Sequence, residues 1–239
     1  LLLTAARILT LGRQQRPTNA SGFFFARDER LFLVTSRHVI FDESIRHFPE
    51  RIEIELHVNA ANMAESTGFS IPLYRDGEAV WHQGRDRAGK IDVAVIEIDR
   101  KALPATVVYR AFGPAHLLGP DDQVEVGSSL LVLGFPLGFH DTLHHVPVVR
   151  HGIVASSFGL RFQGEGYFLT DAHTHRGSSG APVVMRDAGP TGGREGLPWR
   201  LLGVHSARLD VGTRDLYLDE VLGLNCAWYA DILMTLTEA

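Results

Sequence analysis

A chain of 239 residues with a net charge of −5 and a pI of about 6.2 lacks the basic footprint of a nucleic-acid binder. Its 45% hydrophobic content suits a globular core, and no apolar run reaches the length of a membrane span. One cysteine, Cys226, excludes an internal disulfide, so a cytoplasmic setting is expected over a periplasmic or secreted one.

Short apolar runs bounded by Gly, Pro, Asn and Asp recur along the chain, and long segments of helical period are scarce. Strands are predicted at Ala6–Leu11, Gly22–Ala26, Leu31–Thr35, Ile52–His57, Ile91–Ile98, Val107–Tyr109, Ser129–Leu133, His151–Ser156, Tyr167–Thr170, Ala181–Met185, Trp199–Ser206 and Leu216–Val221. That spacing reads as an all-β sandwich or barrel. Phe112-Gly113-Pro114 and Gly119-Pro120-Asp121-Asp122 mark a seam, giving an N-terminal half over 1–115 and a C-terminal half over 116–239. Asp187–Pro198 is rich in Gly and Pro and predicts a loop. The one predicted helix runs from Cys226 to Thr237, with Asn225 as its N-cap. The Phe23-Phe24-Phe25 run reads as core with one ring turned to a cleft, and Cys226 as a small buried residue without a neighbouring base.

Three stretches carry side chains suited to chemistry. Gly177-Ser178-Ser179-Gly180 precedes Ala181-Pro182 and an apolar run. It reads either as a surface turn or as a loop that exposes Ser179 Oγ and aims the Gly177 and Ser179 N–H groups into one hollow, as an oxyanion requires. His38 follows the apolar strand Leu31–Thr35; a histidine there is either a partly buried structural residue or a general base working near neutral pH. Asp92 lies near the start of an apolar strand, as a turn cap or as a carboxylate that an imidazole N–H would satisfy. Taken together, His38, Asp92 and Ser179 stand in the chain order of the chymotrypsin-type triad.

Around these residues the sequence resembles the trypsin-like (chymotrypsin-fold) serine peptidases, most of all the bacterial HtrA-type branch. Thr35-Ser36-Arg37-His38-Val39 resembles that family's segment around the catalytic histidine, and Asp92-Val93-Ala94-Val95 its aspartate segment. Val126-Gly127, Leu133-Gly134-Phe135-Pro136-Leu137-Gly138 and His151-Gly152-Ile153-Val154-Ala155-Ser156 resemble its Gly-rich middle segments. Thr170-Asp171-Ala172, Arg176-Gly177-Ser178-Ser179-Gly180-Ala181-Pro182 and Gly203-Val204-His205-Ser206-Ala207 resemble its nucleophile and substrate-strand segments.

The resemblance implies two six-stranded antiparallel β-barrels with a C-terminal helix, and a site in the cleft between them. It implies a His38-Asp92-Ser179 triad, an oxyanion hole from the N–H groups of Gly177 and Ser179, and no cofactor. A polypeptide would bind in extended form along Val204-His205-Ser206. Thr174 and Val204 would line a specificity pocket without an acidic base, favouring small or medium uncharged side chains. Ser178 stands where the family has Asn or Asp, so activation by a newly cut N-terminus is not expected. The residues after Ala207 are too few for the peptide-binding PDZ module of HtrA-type proteins.

Two other readings stay open. The His140-Asp141-Thr142-Leu143-His144-His145 tract with His151 offers ligand types for zinc, but Pro136, Gly138 and Pro147 oppose the helix that zincin spacing needs. The same fold could also hold peptides, chaperone-like, without cutting them.

Overall fold

The structure is a computed structural model, which describes residues 1–12, 15–187, 196–208 and 223–238. Nine strands lie in the first part of the chain: β1 (Ala5–Gly12), β2 (Gln15–Arg27), β3 (Arg30–Thr35), β4 (Arg51–His57), β5 (Ser66–Pro72), β6 (Tyr74–Arg75), β7 (Glu78–Ala79), β8 (Trp81–Arg85) and β9 (Lys90–Ile98). Among the described residues six follow: β10 (Ser129–Gly134), β11 (Val148–Ile153), β12 (Tyr167–Thr170), β13 (Pro182–Arg186), β14 (Trp199–Arg208) and β15 (Asn225–Tyr229). The described α-helices are short, α1 (Arg37–Ile40) and α2 (Ile232–Leu236).

These strands form the expected all-β, chymotrypsin-like pair of sheets, each curled into a half-barrel. The first has seven strands rather than six, in the order β5-β4-β1-β2-β3-β9-β8, with β6–β7 as a separate ribbon. The second has six, in the order β11-β10-β13-β14-β15-β12. All named pairings are antiparallel, and the register Phe23↔Val34, Phe24↔Leu33, Phe25↔Phe32 sets β2 and β3 side by side.

Strand alternation divides the apolar residues into three clusters. Phe24, Leu31, Leu33, Ile52, Ile54, Ala94 and Ile96 fill the hollow of the first sheet. Leu130, Val132, Phe168, Val183, Leu202 and Ala227 fill that of the second. Residues of both sheets share the third cluster: Phe23, Phe25, Phe32, Val93 and Val95 from one, Leu133, Val184, Val204 and Trp228 from the other. All of Phe23, Phe24 and Phe25 are buried, so no ring of that run faces a cleft.

Other expectations are corrected at the edges. Asn225–Tyr229 is a strand, not the start of a helix, because it pairs with β12 on one side and β14 on the other. Asn225 is therefore no N-cap; its amide donates to the Gly223 carbonyl at 3.1 Å. The helix is confined to Ile232–Leu236. Val107–Tyr109 makes only a bridge, Val108 to His57, and the strand predicted from His151 begins earlier, at Val148. The predicted strand Leu216–Val221 and most of the Asp187–Pro198 loop lie outside the described residues.

Candidate active site

Asp92 is the third residue of β9, a strand buried from Val93 to Ile96. A carboxylate beside such a strand is costly without donors around it, and three are supplied. Oδ1 accepts the His38 backbone N–H at 2.9 Å; Oδ2 accepts His38 Nδ1–H at 2.7 Å and Ser206 Oγ–H at 2.5 Å.

His38 sits in α1, a single turn directly after β3. The first N–H groups of a helix lack partners within it, and Asp92 satisfies that of His38 from the neighbouring strand. One carboxylate thus fixes both the backbone and the ring. Ser36 precedes α1 but makes no side-chain cap; its hydroxyl donates instead to the His205 carbonyl at 3.0 Å.

An ionised carboxylate only accepts. The ring proton is therefore assigned to Nδ1, and Nε2 faces Ser179 Oγ at 2.9 Å with its lone pair. Burial is the largest single influence on the imidazole and favours its neutral form. The hydrogen bond and charge of Asp92, with the charge of Asp42, outweigh burial and Arg37 and hold His38 above its ordinary value.

Ser179 lies in a loop whose shape depends on two glycines at positive φ, Gly177 at +94° and Gly180 at +85°. A Cβ on Gly180 would stand 2.2 Å from the Ser21 carbonyl oxygen, and one on Gly177 2.5 Å from that of Phe135. The carbonyl of Arg176 accepts from Leu137 N–H at 2.5 Å, and that of Ser178 from Ala181 N–H at 2.9 Å. In a trans peptide the N–H points opposite to the C=O. The N–H groups of Gly177 and Ser179 are thereby turned away from those contacts, and among the described residues neither has a protein partner.

Thr174, Val204 and His205 are buried. Thr174 Oγ1 donates to Asn225 Oδ1 at 2.6 Å and accepts from His205 Nε2–H at 3.0 Å. Burial above all, and then the charge of His38, pushes His205 down to about 3 against the opposing pull of Asp92, so its ring is neutral. The backbone of Val204 and His205 is paired on both sides, with β13 and its loop and with β15. Between His205 and Arg208 the register with β15 shifts, leaving Ser206 and Ala207 outside the ladder.

The histidine tract forms a turn in which Asp141 accepts from His144 Nδ1 at 2.7 Å and from the N–H groups of Leu143 and His144. Among the described residues, no group of three or more His, Cys, Asp or Glu side chains is gathered to hold a metal ion. The Cys226 thiol is pushed up to about 11, chiefly by burial, the reverse of what activates a nucleophile.

The profile of the Trypsin-like peptidase domain family matches residues 20–190, a span that contains His38, Asp92 and Ser179. The chain belongs to the trypsin-like peptidase family. Among solved structures, the serine endoprotease from Yersinia pestis matches 99% of this chain with a TM-score of 0.57 and 17% sequence identity. The chain spans 62% of that protein's length, and the likeness is one of fold. No described helix is long and apolar enough to cross a membrane. Two partners were not legible as such in its sequence: Ser206, which donates to Asp92, and Ser21, which touches the loop of the nucleophile. The second sits in Ala20-Ser21-Gly22, at the point where the family match begins.

Proposed function

We propose that this peptidase domain is an endopeptidase that works through an acyl-enzyme on Ser179. The observation that carries the reading is the run of hydrogen bonds from Asp92 through His38 to Ser179, at 2.7 and 2.9 Å. His38 Nε2 takes the hydroxyl proton as Ser179 Oγ attacks the scissile carbonyl carbon, then gives it to the leaving amine. Water, activated by the same base, releases the acid and restores the serine. Asp92 holds the tautomer and balances the imidazolium that forms in each half of the cycle. The developing oxyanion is met by the N–H groups of Gly177 and Ser179, which among the described residues have no competing partner to give up. The substrate lies extended along Ser206–Ala207, where, among the described residues, the strand steps out of its ladder with β15.

A fluorophosphonate probe is expected to label the wild type and not Ser179→Ala, whose kcat falls by about 10⁶-fold. Unchanged peptide turnover by Ser179→Ala would remove nucleophilic catalysis and leave a peptide-holding module on the same fold. The specificity pocket, with the Thr174 hydroxyl committed and His205 neutral, takes small or medium uncharged side chains in preference to Lys or Arg. A cleavage profile from a peptide library dominated by Arg at the cut position contradicts that preference.

A further inference from the structure

Ser21, on β2 of the first sheet, is fully buried, and every polar group it owns is spent near the nucleophile loop. Its Oγ donates to the Gly177 carbonyl at 2.7 Å and accepts the Phe135 N–H at 3.0 Å. Its own N–H donates to the Ser179 carbonyl at 2.9 Å, and its carbonyl accepts from Thr35 Oγ1 at 2.8 Å. We infer that the Ser21 hydroxyl is a positioning group, a latch that keeps the Arg176–Gly177 peptide turned so that its N–H faces the reacting carbonyl.

A hydroxyl has one proton and two lone pairs, and this one uses the proton on one side of the hole and a lone pair on the other. On the loop side, Ser21 pins two alternate carbonyls, those of Gly177 through its side chain and of Ser179 through its backbone. On the far side it fixes Phe135, which begins the segment whose Leu137 N–H holds the Arg176 carbonyl. The Arg176–Gly177 peptide is thus flanked by two restraints: its own carbonyl is held by Leu137 N–H, and the next carbonyl, that of Gly177, by Ser21 Oγ, which also fixes Phe135 two residues before Leu137. Were that peptide to turn over, a carbonyl dipole would face the oxyanion in place of a donor, and the stabilisation would become repulsion. The residue between the two pinned carbonyls, Ser178, carries no charge with which an ion pair could hold the loop instead.

This inference rests on the catalytic reading above, and the two fail in different experiments. Steady-state kinetics on a peptide substrate, with thermal unfolding measured in parallel, compare wild type, Ser21→Ala and Ser21→Thr. Removing one oxyanion donor costs about 10²–10³-fold in kcat, and Ser21→Ala is expected to lose at least the lower figure. KM should stay within about twofold, since the loss falls on a contact made in the transition state alone. The acid limb of the pH profile should not move, because Ser21 touches neither His38 nor Asp92. Ser21→Thr, which keeps the hydroxyl, should recover most of kcat. Wild-type kcat in a folded Ser21→Ala overturns the inference, as does a Thr variant as slow as the Ala variant. If Ser21→Ala does not fold, Ser21→Cys serves in its place: it nearly conserves volume but donates weakly, and full kcat in it is equally fatal. Wild-type turnover that does not depend on Ser179 sinks the catalytic reading and takes this inference with it.

Discussion

At the scale of single residues the site turns on Asp92. Its three donors come from two places in the chain, α1 and β14, so the carboxylate is held before any substrate arrives. His38 must be neutral to accept a proton, and Asp92 raises the pH at which it becomes neutral. The expected kcat/KM profile therefore rises with pH through a midpoint above 6.5, the ordinary imidazole value. Asp92→Asn removes the strongest of the influences that oppose burial, so its midpoint should fall below that of the wild type. Loss of the tautomer control should cost about 10⁴-fold in kcat. A wild-type midpoint under 6.5, or an Asn variant whose midpoint is unmoved, contradicts this assignment. The same shift links to folding: a raised histidine stabilises the native state below its unfolded value, and that contribution is lost as pH rises through the folded value. That His38, Asp92 and Ser179 come together was legible because each lies in a local motif and their order is informative. The donation from Ser206 to the carboxylate was not, since it depends on how β14 meets β9 across the molecule.

Elements were legible where buried positions form an apolar run or a clean alternation, and ambiguous where they do not. Apolar runs located β1, β3, β4 and β9 to within a residue or so: β1 and β4 alternate with one buried face, while β3 and β9 are apolar on both faces and lie between two clusters. Asn225–Tyr229 defeated the same reading. A short apolar run before a helix fits either period, and here two flanking strands supply the hydrogen bonds that decide it. β5 and β8 were missed for the opposite reason: Ser66–Pro72 and Trp81–Arg85 are polar strands with few buried positions, recruited at the sheet edges by their neighbours. The single turn α1 left no periodic signal, although it carries His38. Both glycines of the nucleophile loop could be read from sequence as conformational requirements. What excludes a side chain there, the oxygens of Ser21 and Phe135, could not.

Across the whole molecule, Asp92 and His38 come from the first sheet and the turn that follows its β3, and Ser179 from a loop of the second. The cluster shared by Phe23, Phe25, Val93, Leu133, Val204 and Trp228 is what keeps the two in register. Such a seam resists separation through close packing, and packing fails by small displacements before it fails outright. A proton relay tolerates far less slack than a hydrophobic contact, since a shift of about 1 Å can cost on the order of 10²-fold in rate. Turnover in this protein is therefore a gauge of the seam. In a urea series, initial rates should decline at concentrations where the fluorescence of the three tryptophans, Trp81, Trp199 and Trp228, is still native, and coincident loss of rate and fluorescence would mean that the halves part only on global unfolding.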